Sequence, residues 1–236
     1  MTNENGGRFE AGDEAYQARN YVRALAVWRP LAEGGDARAQ VGVAVCLLYG
    51  GVGVGTLVRT DYGQAIQWLK KAVAQGNAEG EFHLAQCYEQ GRGVPTNLAQ
   101  AIELYRRSAE HGLAFSQFTL ALKHINGQGL PQDEVLAAAW LRRAAGQGLK
   151  YAQLRLAECY IQGRGVRKDS VMAYVNYHIG GRKAIDPREP PTALELLAFE
   201  LSAEQRAEAD SLVQSWTPGG LAAASVKDRV VTRALR

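Results

Sequence analysis

The sequence predicts an all-α fold in which helical hairpins stack into a solenoid. Three observations predict it: a unit of 36 residues recurs along the chain, the apolar side chains of each unit keep a helical spacing, and glycines follow the first helix at the same place in successive copies. Each unit leaves one apolar face that only a neighbouring unit can cover. A repeat of this length is typical of helical solenoids.

The clearest unit runs from Asn77 to Gly112. Gly91-Arg92-Gly93 predicts the end of a first helix, because glycine adopts the left-handed conformation without a Cβ clash. Asn97 predicts the N-cap of a second helix. The unit is therefore interpreted as a hairpin of two helices, called helix A and helix B. Apolar residues at i, i+3, i+4 spacing define one face of helix A: Leu84, Cys87 and Tyr88.

Helix B recurs three more times in the same register. Its predicted caps are Asp61, Asn97, Asp133 and Asp169, and its first core positions are Ala65, Ala101, Ala137 and Ala173. The first copy is longer, because five residues are inserted in the segment GGVGVGTLVRT between its two helices. We interpret this insertion as a surface loop or a contact with a partner.

The predicted organisation is four repeats between two caps. The helices of the caps are expected at Gly12–Arg19 and Tyr21–Glu33, and at Thr192–Glu200 and Ser202–Trp216. The last of these begins with Ser-Ala-Glu-Gln, a capping-box sequence. The segments are a capping hairpin at 1–35, repeats at 36–76, 77–112, 113–148 and 149–184, C-terminal capping helices at 185–216, and a flexible basic tail at 217–236.

Charge argues against nucleic acid as a partner. The chain has 236 residues with 27 basic and 24 acidic side chains, a formal net charge of +3 at pH 7. The last twenty residues hold four of the basic and one of the acidic side chains, which leaves 23 of each in the rest. A balanced body offers no broad cationic surface to a phosphate backbone.

Hydropathy predicts no membrane span, because no apolar run approaches the ~18 residues that a spanning helix needs. Met1–Phe9 does not resemble a signal peptide. As written, the sequence predicts a cytoplasmic protein, or a periplasmic or secreted one if a leader has been removed. It does not indicate an oligomeric state.

The repeat resembles the Sel-one-like repeat (SLR) family, a branch of the tetratricopeptide-like α/α solenoids. The resemblance covers about Asp36 to Arg182, and it departs from the family motif at Leu47, His124 and Asn176. It implies a right-handed α/α superhelix of about six hairpins, counting the caps. The second repeat carries the motif at Gly80, Leu84, Tyr88, Gly91, Gly93, Val94, Asn97, Ala101 and Gly112.

The resemblance implies a scaffold rather than an enzyme. Family members commonly serve as adaptors, in bacterial signalling, envelope and secretion processes and in eukaryotic quality control. A partner protein or peptide of unknown identity would then lie along the concave surface lined by helices A. Two alternatives stay open by the same analogy: an inhibitor or immunity-type protein that binds one cognate enzyme, and a hydrolase that acts on a cell-wall or β-lactam-like substrate.

The cysteines and histidines indicate neither a metal nor a cofactor. Cys46, Cys87 and Cys159 hold one equivalent position of helix A, and stacked helices lie ~8–10 Å apart, beyond the ~7 Å Cα limit of a disulfide. We expect buried free thiols. The four histidines lack i, i+4 spacing and a nearby cysteine. The Gly-x-Gly loops lack the strand and the Lys-Ser/Thr of a phosphate-binding loop.

The predicted partner-binding residues flank the core-facing side of helix A. Phe115 and Tyr151 are the strongest candidates, because Glu79 and Arg38 hold the same place in other repeats and the fold therefore requires no aromatic there. Exposed aromatic side chains are common anchors of interfaces. Three members, Phe82, Phe118 and Leu154, are interpreted as either contacts or partly core. The full set is Arg38, Glu79, Phe82, Gln86, Glu89, Phe115, Phe118, Leu122, Tyr151, Leu154 and Glu158.

Overall fold

The computed structural model describes residues 2–53, 56–181 and 193–218. The predicted helix start at Thr192 and nearly all of the predicted tail at 217–236 lie outside the described residues. The chain divides into two compact units, Met1–Leu113 and Ala114–Arg236, called unit 1 and unit 2.

Unit 1 consists of three helical hairpins and one short β-hairpin. The helices pair as α1 with α2, α3 with α4 and α5 with α6, and α2 packs on α3 and α4 on α5. The first helix is longer than the predicted Gly12–Arg19. The bounds are α1 Thr2–Gln17, α2 Tyr21–Glu33, α3 Ala37–Tyr49, α4 Tyr62–Ala74, α5 Ala78–Gln90 and α6 Leu98–Glu110, with β1 Gly51–Gly53 and β2 Thr56–Val58.

In its described residues, 114–181 and 193–218, unit 2 has two helical hairpins followed by two capping helices. The hairpins are α7 with α8 and α9 with α10, and α8 packs on α9. Both capping helices, α11 and α12, contact α10. The bounds are α7 Ala114–Asn126, α8 Glu134–Gly146, α9 Lys150–Gln162, α10 Ser170–Ile179, α11 Ala193–Glu200 and α12 Ala203–Ser215. The all-α solenoid class predicted by the repeat is therefore confirmed.

The predicted caps of helices B are confirmed. In each of the four, the Asp or Asn side chain accepts a hydrogen bond from the backbone N–H three residues later, at 2.9–3.0 Å. A cap of this kind typically stabilises a helix by ~1 kcal/mol. Gly91 and Gly163 end α5 and α9 in the left-handed conformation, both with φ 71°. The periodic signals in the sequence therefore mark real helix ends.

The inserted segment of the first repeat contains two short strands. Its strands β1 and β2 pair antiparallel, with Gly51 opposite Val58 and Gly53 opposite Thr56. Val58 is buried, and β2 contacts α2. A Cβ on Gly50 would lie 2.6 Å from the Val58 carbonyl oxygen, so the approach of the two chain segments requires glycine there. The segment was interpreted as a slack surface loop, whereas Gly51–Gly53 pairs with Thr56–Val58 as a β-hairpin.

Trp28 packs the N-terminal hairpin against the first repeat. Trp28 is 3% exposed, and its indole N–H donates to the Phe9 carbonyl oxygen at 3.1 Å. A Cβ at Gly12 or Gly42 would lie 2.2 or 2.6 Å from the indole. The ring thus fills the space that two glycines leave between α1 and α3.

Candidate protein-binding surfaces

In unit 1, the predicted contact residues of α5 differ in how exposed their side chains are. Glu79 is exposed, whereas Phe82, Gln86 and Glu89 are half-buried. The Phe82 ring lies 5.7 Å from that of Tyr105, whose hydroxyl donates to Glu89 Oε2 at 2.8 Å. Burial, and then the Glu89 carboxylate, raise the pKa of the Tyr105 hydroxyl. Phe82 and Glu89 therefore hold α5 against α6 and are partly structural.

Gln86 belongs to a cluster that sequence reasoning missed. The Tyr49 hydroxyl at the end of α3 donates to Gln86 Oε1 at 2.8 Å, and its ring lies 6.0 Å from that of His83. Burial lowers the pKa of His83 to about 4, so the ring is neutral at pH 7. Arg92 places its guanidinium 5.6 Å from the Tyr49 ring. This cluster joins the A helices of the first two repeats.

Arg38 takes part in the N-terminal packing. Its guanidinium lies 4.4 Å from the centre of the Phe9 ring and 3.5 Å from the Asp36 carboxylate. The arginine remains more than half exposed. Helix α1 therefore lies beside the position at which a contact with a partner was predicted.

In unit 2, the predicted aromatic residues come together across two A helices. The ring of Phe118 on α7 lies 6.4 Å from that of Tyr151 on α9. Phe115 and Tyr151 are 52% and 65% exposed, whereas Phe118 and Leu122 are half-buried. Leu154 is half-buried as well. These side chains form an apolar surface on α7 and α9 that the described part of unit 2 leaves partly exposed.

Leu154 and Glu158 also have neighbours within unit 2. A Cβ on Gly180 would lie 2.9 Å from Leu154, so Leu154 packs closely against the end of α10. Glu158 binds Arg155 at 2.9 Å on the surface of α9. Both charges face a small cleft between α7, α8 and α9. It is lined by Ile125, Glu134, Arg155, Glu158, Cys159, Gln162 and Arg164.

The second repeat contains a buried charge cluster that the sequence analysis did not single out. Glu81 is fully buried, and its carboxylate oxygens lie 2.6 Å from Arg107 Nη2 and 2.8 Å from His111 Nδ1. Equivalent positions of the other repeats hold glutamine, at Gln40, Gln117 and Gln153. This cluster could have been predicted from the sequence, because one repeat has glutamate at a position where the other three have glutamine.

The thiols of the three cysteines are free and buried, as expected. Burial raises the pKa of Cys46 to about 12 and that of Cys87 to about 11. Within the described ranges, no three His, Cys, Asp or Glu side chains are grouped as metal ligands would be. None of the helices described is long and apolar enough to cross a bilayer.

The comparisons with known proteins agree with this arrangement. The Sel1 repeat family matches at residues 37–77, 78–113, 114–149 and 150–182, which is more than half of the chain. A solved Sel1 repeat protein from Oxalobacter formigenes is 26% identical over 80% of this chain and 49% of its own, with a TM-score of 0.61. The chain thus spans about half the length of that protein. No curated protein matches the chain.

A second solved structure supports the fold alone. It is a Sel1 repeat protein from Klebsiella pneumoniae subsp. pneumoniae, 21% identical over 89% of this chain and 94% of its own, with a TM-score of 0.52. The stacked hairpins define a helical-repeat protein. The chain belongs to the Sel1 repeat family. Proteins of this family are generally scaffolds for protein–protein interaction and typically not enzymes.

Proposed function

We propose that the chain is a non-enzymatic adaptor that binds a partner protein or peptide on the A helices of unit 2. This helix-A surface comprises Phe115, Phe118, Leu122, Tyr151, Leu154 and Glu158. The observation that carries the proposal is the exposure of two aromatic side chains, 52% for Phe115 and 65% for Tyr151. The fold does not need them there, because Glu79 holds the same place in the second repeat.

The energetics favour these residues as anchors. Burying an aromatic side chain of this size is worth ~1.5–3 kcal/mol, and anchors of interfaces are typically aromatic residues surrounded by polar groups. The Phe118 ring lies 6.4 Å from the Tyr151 ring, and the Arg155–Glu158 ion pair supplies a polar border. In unit 1, Glu79 is proposed as a polar contact, whereas Arg38, Phe82, Gln86 and Glu89 contribute less because they already bind neighbours.

Photo-crosslinking tests the proposal on the full chain. A photoreactive phenylalanine analogue is placed at residue 115 or 151, and in matched controls at Leu98 or Val135, which are 43% and 49% exposed on helices B. Each protein is irradiated in lysate of the source organism, and adducts are identified by mass spectrometry. We expect one discrete partner from residues 115 and 151 that is absent from both controls.

Affinity measurements complete the test. Once the partner is identified, the double variant Phe115→Ala, Tyr151→Ala is expected to bind it at least about tenfold more weakly. The matched variant Leu98→Ala, Val135→Ala is expected to bind like the wild type. Circular dichroism checks that both remain helical. Equal affinity of a helical Phe115→Ala, Tyr151→Ala variant and the wild type would show that this surface is not the binding site.

A further inference from the structure

The C-terminal capping helices present a second exposed apolar surface. Phe199 on α11 is 89% exposed, the highest value among the large apolar side chains that the structure describes. Leu196, one helical turn earlier, is 52% exposed. The fold does not need either residue, since α11 is anchored by Leu197 and Leu201, which are 5% and 8% exposed. Neither exposed residue is thus used in the packing of the part of unit 2 that the structure describes.

An open cleft adjoins Phe199 between α11 and α12. Ala203 and Ala207, one turn apart on α12, line one wall with small side chains and leave space beside the Phe199 ring. The two charges in the cleft have partners. Arg206 donates to the Ala198 carbonyl oxygen, and Asp210 lies near Tyr174, where burial and then the Asp210 charge raise the pKa of the hydroxyl. An apolar side chain can therefore enter the cleft without leaving either charge buried and unpaired.

The charge around this cleft is one-sided. Residues 193–216 carry five carboxylates and one guanidinium, a net charge of −4. The carboxylates at 200, 204 and 208 are exposed. The acidic residues are Glu195, Glu200, Glu204, Glu208 and Asp210. An apolar cleft with an acidic border is complementary to a segment that carries apolar side chains between lysines or arginines.

We propose that this C-terminal cap surface, comprising Leu196, Phe199, Ala203, Glu204, Ala207 and Glu208, binds a cationic amphipathic segment of a partner protein. Apolar side chains of the segment pack against Phe199 and enter the cleft, and its cations pair with the carboxylates of α12. The surface shares no residue with the helix-A surface. Its function is therefore independent of the adaptor function proposed above.

The probe for the test is a labelled 16-residue peptide of leucine and lysine in amphipathic order, at about the length of a four-turn helix. Its control replaces every lysine with glutamate. Binding to the full chain is followed by fluorescence anisotropy at low and high NaCl. We expect the lysine peptide to bind, the glutamate peptide not to bind, and the affinity to fall with salt, because exposed charges are screened.

Matched variants locate the site. Phe199→Ser is expected to weaken binding about tenfold, and Leu98→Ser, an equally drastic change on α6, to leave it unchanged. At low salt, the double variant Glu204→Lys, Glu208→Lys is expected to weaken peptide binding at least as much as Phe199→Ser does. The control is Glu10→Lys with Glu14→Lys, which makes the same charge change at the same spacing on α1.

Three results would overturn the proposal. Binding of both peptides, or equal losses in the cap variants and their controls, would show non-specific attraction. The third result concerns residues 219–236, which contain four basic side chains. If deleting them raises the affinity for the peptide manyfold, that segment of the same chain, and not a partner, is the occupant of the surface.

Discussion

Oε2 of the buried Glu81 lies 2.8 Å from Nδ1 of His111, where two other repeats pair glutamine with glutamine. In the first repeat Gln75 donates to Gln40 at 2.9 Å, and in the third Gln147 donates to Gln117 at 2.9 Å. One polar link between the start of helix A and the end of helix B thus recurs in three hairpins. Only the second makes it with ionisable groups.

A second substitution accompanies the first. Lys71 and Arg143 lie over the rings of Trp68 and Trp140, at 4.2 and 4.8 Å from the ring centres. The second repeat has Leu104 in place of the tryptophan, and its cation, Arg107, binds Glu81 instead. The carboxylate therefore compensates for the missing indole by giving this cation another partner.

The first prediction follows from that compensation. Glu81→Gln is expected to lower the free energy of unfolding by ~1–2 kcal/mol, because Arg107 and His111 lose the buried charge that they bind. Adding His111→Gln recreates the Gln–Gln link of the first and third repeats and is expected to restore at least half of the loss. Urea unfolding of the full chain measures both. A double variant less stable than Glu81→Gln would contradict the idea that the two links are interchangeable.

The second prediction concerns pH. The folded-state pKa of His83 is about 4, below its ordinary value of 6.5. Between pH 6.5 and pH 4, His83 therefore binds a proton in the unfolded chain but stays neutral in the folded chain. The contribution of neutral His83 to the free energy of unfolding is therefore complete above pH 6.5 and is lost as the pH falls towards 4.

Replacing His83 isolates this effect. His83→Gln is expected to lose less stability than the wild type between pH 7 and pH 4, by ~1–3 kcal/mol. Thermal unfolding at a series of pH values checks it. Parallel curves for the two proteins would mean that His83 is protonated without cost in the folded chain.

The third prediction tests the contact between the last two repeats. A Cβ on Gly165 would lie 1.8 Å from the Glu134 carbonyl oxygen, and Gly165 has φ 64°. Gly165→Ala is therefore expected to destabilise unit 2 by ~2–4 kcal/mol. The control is Gly146→Ala, whose Cβ would contact nothing, and which is expected to stabilise by ~0.5–1 kcal/mol. Equal unfolding temperatures for the two variants would contradict the close approach.

Much of the fold follows from periodic sequence features. Asp61 and Asn97 predict helix starts because a side-chain oxygen must satisfy backbone N–H groups of the first turn, a local requirement that sequence displays directly. Gly91 predicts a helix end for a similarly local reason. The inserted strands were missed because each has only three residues, too few for an alternating pattern to be recognised in the sequence.

The candidate sites were less predictable. The exposure of Phe115 and Tyr151 was anticipated, because another repeat has a polar residue in their place. The involvement of Arg38 with Phe9 was not, since no spacing rule links α1 to α3. Phe199 was also missed: a single aromatic residue in a non-repeating cap has no equivalent to compare it with.

The buried thiols make the chain suited to selective chemistry. Cys46, Cys87 and Cys159 are 2%, 0% and 7% exposed, and burial raises the pKa of each. Maleimides and iodoacetamides react with exposed thiolates, so the native cysteines are poor substrates at neutral pH. A cysteine introduced at Phe115 or Phe199 would be the preferred target. A single dye or spin label could thus be attached to either surface without first removing any native residue.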